Sequence, residues 1–182
     1  MPRIRLPELE TMSEAQRRVY DEIVRGPRGG VVGPLLAALL NPELADRWQK
    51  LGEQLRYHTS IRARHTELAI LVTARACNCA LEWHVHEPWA RRAGLASDVL
   101  ETIKKGDRPC FVDPLDQATH DFASELQKSR TVSQETYGKV LQHYEALGVV
   151  ELTAVVGYYT MVAMTLNAHD MRIPDGEPNP FA

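Results

Sequence analysis

The stretch Glu67–Ala76, ELAILVTARA, is strongly apolar and Ala-rich. A run of this kind reads as a helix buried inside the protein rather than laid on its surface. A second run, Val150–His169, has the same character. No stretch alternates apolar and polar residues well enough for a half-buried strand. Two buried helices without a sheet must be wrapped by further helices, so the expected fold class is all-α. The length of 182 residues suits a single domain with a real core.

The rest of the chain supplies the expected wrapping. Residues 12–25 read as an amphipathic helix capped by Ser13, and GPRGGVVGP (26–34) as a structural loop whose functional reading is a flap near a pocket. It lacks the pattern of a phosphate cradle. Leu35–Leu40 reads as a short apolar turn or helix, and Asn41-Pro42 opens a helix over roughly 42–58. RYHTSIRARHTE is polar, with Thr66 placed to cap the buried helix. A helix over 79–93 should end at Gly94, and Ser97 should cap a short one ending at Gly106. Asp116–Ser129, Ser133–Leu147 and Val150–His169 complete the set, the last two separated at Gly148. The tail IPDGEPNPFA carries three prolines. It should be extended, packing on its own domain or on a neighbouring subunit. The expected organisation is one domain: an N-terminal helical arm (1–40), a core (41–170) and an extended tail (171–182). The runs 66–86 and 150–170 are faintly alike: Glu67 matches Glu151 and Leu68 matches Leu152, 84 positions on. A duplication or a shared buried-helix composition accounts equally for that likeness.

Composition excludes several function classes. Net charge is −3 and the basic residues are scattered, so no nucleic-acid footprint is visible. No apolar run reaches the ~18 residues of a membrane span, and the N-terminus lacks an apolar signal region. Three cysteines argue against a disulfide framework. The expectation is a cytoplasmic protein with no nucleic-acid or membrane partner.

The chemistry is concentrated in CNCALEWHVH (77–86). On a helix, Cys79, Glu82 and His86 fall at i, i+3 and i+7 and share a face. Glu67 lies nineteen positions before His86, roughly 28 Å along one straight helix. The two can meet only if the chain turns near Cys77–Cys79, where Asn78 tolerates a break. A buried Glu beside a His acquires the shifted pKa that acid–base chemistry uses. The blander reading of Glu82 and His86 is an ordinary i, i+4 surface pair. Three ligands plus water would suit zinc, but the spread of Cys79, Glu82 and His86 is too long for one ion. His58, His65, His120, His143 and His169 show no ligand spacing. No metal and no cofactor are expected.

The order Glu67, Cys79, Glu82, His86 resembles the carboxymuconolactone decarboxylase/alkylhydroperoxidase D superfamily, over about Gly33 to Asn167. Its peroxidase branch carries a Glu, eleven residues, then Cys-x-x-Cys-x-x-x-His. Glu67, Cys79 and His86 stand at the matching positions, and Glu82 stands where the second cysteine would be. The context resembles the decarboxylase-like branch, where Glu-Trp-x-x-His is common. The resemblance implies an AhpD-like helical domain in homo-oligomers, trimers or hexamers, with the site near subunit interfaces.

The replaced cysteine removes the thiol pair that a peroxidase cycle needs; Cys77 and Cys79 point apart on a helix. What remains is an acid–base constellation, with His86 as general acid/base. One of Glu67 and Glu82 sets its charge and the other exchanges the proton. Cys79 and Trp83 are expected to line the site, as are Tyr158 and Asn167, whose default role is packing. Arg56, Arg62 or Arg64 is expected to bind the carboxylate of a small-molecule substrate. The function expected is a cofactor-independent lyase or isomerase on a carboxylated lactone or small oxo-acid in aromatic catabolism. The alternatives are a thiol-based antioxidant protein and a non-enzymatic oligomeric binding protein.

Overall fold

A computed structural model describes residues 2–31 and 33–182; Met1 and Val32, the latter inside the Gly/Pro loop, lie outside it. After a 3-10 turn at Leu9–Thr11 come α1 (Glu14–Arg25), α2 (Pro34–Ala38), α3 (Pro42–Tyr57) and α4 (Ala63–Ala76). Then follow α5 (Ala80–Arg92), α6 (Ser97–Lys105), α7 (Pro114–Ser129) and α8 (Gln134–Ala168). No strand occurs among the described residues. The fold is all-α, as expected.

Local chemistry sets most boundaries. Ser13 and Gln16 close a reciprocal capping box on α1. Asn41 accepts from the Leu44 amide and Pro42 occupies the first turn of α3. Two expected caps are corrected. Thr66 lies inside α4, which starts at Ala63, and its hydroxyl faces back to the Arg62 carbonyl at 3.4 Å. The polar residues before it join the helix because they have partners there: Arg64 and His65 both meet Asp116 of α7. Ser97 is the first residue of α6 rather than its cap, its hydroxyl being taken by Arg91 at 2.7 Å.

α4 is the central element, packed against α5, α7 and α8. Every residue from His65 to Ala74 is buried. Each fully enclosed Leu or Ile, such as Leu68, Ile70 and Leu71, contributes roughly 1.5–3 kcal/mol. The turn to α5 is a Schellman closure: Asn78 is left-handed at φ 49°, its amide reaches the Arg75 carbonyl at 3.0 Å, and the Cys79 amide reaches Ala74 at 2.8 Å. This turn folds α5 back along α4.

The expected separation at Gly148 is also corrected. α8 kinks at Glu145, the one residue within it with non-helical angles (φ 56°, ψ −173°). Gly148 serves the kink differently: a Cβ there would meet the Tyr144 Cβ at 2.4 Å. Its absence lets Tyr144 lie against the helix and set its hydroxyl beside His65. By length and composition α8 could cross a membrane, with a window of mean hydropathy 1.5. Half of that window is buried within the fold, where α8 packs on α4 and α7. The tail turns back onto its own domain. Phe181 meets Trp83 edge-to-face at 5.6 Å, and the Arg75 guanidinium lies 5.0 Å from the Phe181 ring centre.

Candidate active site

The fold brings Glu67, Glu82 and His86 into hydrogen-bonding contact. The Asn78 turn sets α4 beside α5, so that His86 Nδ1 lies 2.7 Å from Glu67 Oε2. One helical turn before His86, Glu82 places Oε1 3.1 Å from Nε2. All three are buried, with exposures of 6%, 5% and 3% for Glu67, Glu82 and His86, which removes the surface-pair reading. Tyr159 of α8 packs edge-on against the imidazole at 5.1 Å.

This arrangement decides the charge of the ring. Burial opposes a cation, but hydrogen bonds to Glu67 and then Glu82 outweigh it, raising the His86 pKa to about 9. At neutral pH His86 is therefore an imidazolium donating from both nitrogens to carboxylates. Arg56 adds a second positive charge, 4.0 Å from Glu67 Oε1, and lies against the Tyr57 and Trp89 rings.

Glu82, Val85, His86 and Trp89, on one face of α5, open onto a cavity of about 350 Å³. Its other walls are Pro27, Arg28, Gly30 and Gly33 of the Gly/Pro loop, Pro34 and Leu35 of α2, Arg56 and Tyr57 from the end of α3, and Tyr158, Tyr159, Val162 and Leu166 of α8. The size suits a small organic ligand (sites run ~300–1,000 Å³). Larger clefts of about 580 and 650 Å³ lie elsewhere on the surface, and none of the three acid–base residues lines them.

Several residues named from sequence stand apart from this cavity. Cys79 is buried at the start of α5 and is not among the lining residues. Burial pushes its thiol up to about 12, against the Glu82 and Leu81 amides. Trp83, one position from Glu82 and so about 100° around the helix, faces the core and donates to Glu87 at 2.7 Å. Asn167 is exposed and donates to the Cys77 carbonyl at 2.8 Å, bracing the α4–α5 turn. Tyr158 does line the cavity. Of the three arginines, Arg56 alone lines it. Arg62 is the extended residue just before α4 and offers its amide to the Tyr144 hydroxyl; Arg64 forks onto Asp116 and also reaches the Gly94 carbonyl.

Tyr159, beside Tyr158 on the buried last helix, lines the cavity as well, while sequence reasoning missed Arg28 and Trp89 as lining residues. Trp89 had a usable signal, lying seven positions after Glu82 and three after His86. A second acid–histidine cluster was also missed: donor atoms of His65, Asp113 and Asp116 lie within 4.8 Å of one another. Arg64 already compensates the Asp116 carboxylate at 2.6 Å, which leaves that cluster little charge for a cation.

Residues 42–114 match the carboxymuconolactone decarboxylase family. No curated protein matches the chain. A peroxidase-related protein from Ralstonia eutropha with an alkylhydroperoxidase AhpD core superposes with TM-score 0.78 at 17% identity, covering 99% of this chain and 94% of the other. The apo debrominase Bmp8 gives 0.71 at 15% identity, covering 93% and 91%. A cysteine-to-alanine variant of Bmp8 in complex with 2,3,4-tribromopyrrole gives 0.73 at 14% identity, with the same coverage. At these identities the likeness is one of fold. The segment similar to that family contains Glu67, Cys79, Glu82 and His86.

Proposed function

We propose that this chain is a cofactor-independent lyase or isomerase that acts on a carboxylated lactone or related small oxo-acid by acid–base catalysis, in the cytoplasm and as a homo-oligomer. The observation that carries the reading is the buried Glu67–His86–Glu82 chain, open to a cavity at its Glu82 and His86 end. Glu67 does not line the cavity and holds the far side of the ring; its role is to fix the charge and orientation of His86. Glu82 faces the ligand and exchanges the proton. In a decarboxylation the bond between the substrate carbon and its carboxylate breaks, and the electron pair enters the conjugated carbonyl. The His86 imidazolium passes its Nε2 proton to the Glu82 carboxylate, and as the pair returns to a ring carbon that carbon takes the proton from Glu82. Carbon dioxide leaves and water reprotonates the chain.

A thiol peroxidase fits less well. Cys79 is buried with its thiol pushed up to about 12, so it carries almost no thiolate at neutral pH.

The test is carbon dioxide release from γ-carboxymuconolactone with no added metal. Glu82→Gln is expected to lower turnover by about 10²–10⁴-fold, the usual worth of a positioned acid or base. Glu67→Gln should lower it less and shift its pH profile toward acid, because the imidazolium loses a carboxylate. Cys79→Ser should retain activity. Wild-type turnover in Glu82→Gln, or peroxide consumption that vanishes in Cys79→Ser, would replace this reading with a thiol-based one.

A further inference from the structure

Arg28 belongs to the Gly/Pro loop that walls the cavity opposite α5. Its Nε and Nη2 are buried and meet no carboxylate or carbonyl acceptor among the described residues; the neutral Tyr158 hydroxyl is the polar group beside them. Guanidinium donors buried without such an acceptor are costly, and where they face a cavity the acceptor is expected to come from a ligand. Arg56, the other arginine in the wall, already has Glu67 nearby and two aromatic rings beside it.

The ground around Arg28 is arranged for an oxyanion. A Cβ on Gly52 of α3 would stand 2.1 Å from the Tyr158 hydroxyl and 2.3 Å from Arg28 Nη2. The two groups thus fill, side by side, the space that a side chain at position 52 would take. Burial raises the Tyr158 phenol, with the Arg28 charge opposing, so the hydroxyl keeps its proton and remains a donor. The charges agree. Glu67 and Glu82 face His86, Arg56 and Arg28, and with the ring protonated the site holds one positive charge in excess.

We propose that Arg28 and the Tyr158 hydroxyl form the anion anchor of the cavity, receiving the carboxylate of a small monocarboxylate whose other end lies against His86 and Glu82. What happens at that other end rests on the acid–base reading above; the anchor itself does not. Arg fits the task because its planar fork matches a carboxylate. Trp89 and Tyr159 supply aromatic walls for a flat ligand body.

Titration calorimetry with benzoate, and with benzamide as its uncharged counterpart, tests the anchor. Wild type should bind benzoate at least about tenfold more tightly than benzamide, the scale of one charged hydrogen bond. Arg28→Met should erase that preference, and Arg28→Lys should fall between, keeping the charge but losing the fork. The thermal midpoint of unliganded Arg28→Met should not drop, because the donors removed have no carboxylate or carbonyl partner to lose; a structural arginine would behave oppositely. Unchanged benzoate affinity in Arg28→Met, or no benzoate binding by folded wild type, overturns the proposal. The two readings fail separately. Wild-type turnover in Glu82→Gln would sink the acid–base assignment while leaving the benzoate result intact. Lost benzoate preference in Glu82→Gln with Arg28→Met unaffected would sink the anchor.

Discussion

His86 has a carboxylate at each ring nitrogen, and that decides both its charge and its effect on stability. Its folded pKa of about 9 lies above the ~6.5 of an unfolded histidine. The folded state therefore holds the proton more tightly. The resulting stabilisation is fully present below about pH 6.5 and is lost as pH rises toward about 9. Urea midpoints measured across that window should fall with rising pH in wild type and flatten in His86→Gln. A midpoint that rises over the same window would contradict the account. Glu82 and His86 were legible in the sequence because i, i+4 spacing survives any packing of the helix, and Glu67 because only one turn could deliver it. Trp83 and Asn167 were misplaced because each adjoins a true lining residue, Glu82 and Leu166, and one position along a helix turns a side chain about 100° away. Arg28 left no signal, since a Gly/Pro loop has no period from which a direction can be read.

At the scale of elements, the α4–α5 turn holds the site together. Asn78 adopts a left-handed conformation that costs a β-branched residue roughly 1–2 kcal/mol. Asn78→Gly should therefore keep stability and turnover near wild type. Asn78→Val should lower unfolding free energy by about 1–2 kcal/mol and reduce turnover further, because the turn sets the Glu67–His86 distance. Equal stability of the two variants would show that the turn is not under this constraint. Helix existence was readable throughout from apolar period and cap residues. The errors fell where a tertiary partner overrode the local signal. Arg64 and His65 are helical because Asp116 meets them, Ser97 gives its hydroxyl to Arg91, and the α8 kink sits at Glu145 while Gly148 makes room for Tyr144.

At the scale of the molecule, the all-α class followed from two buried helices with no sheet to pack on. Partners could not be read in the same way, because a sequence marks apolar faces without saying what covers them. On α8, Val150, Thr153, Gly157, Met161 and Met164 form one exposed stripe, with Val150 at 67% and Met164 at 59% exposure. Exposed apolar surface of this kind supports the proposed homo-oligomer. Light scattering should give a mass that is a multiple of the 20.5 kDa chain, and Met164→Lys should shift it toward the monomer. A wild-type monomer at micromolar concentration would remove the oligomer from the proposal.

The central claim is that a protonated His86, held between two carboxylates, is the proton source of the site. Nitrogen-15 NMR of labelled histidine side chains reads that state directly. The account predicts that at neutral pH both His86 nitrogens carry protons and that the ring titrates near pH 9, moving to lower pH in Glu67→Gln. A neutral His86 at neutral pH, with one bare nitrogen, would contradict it.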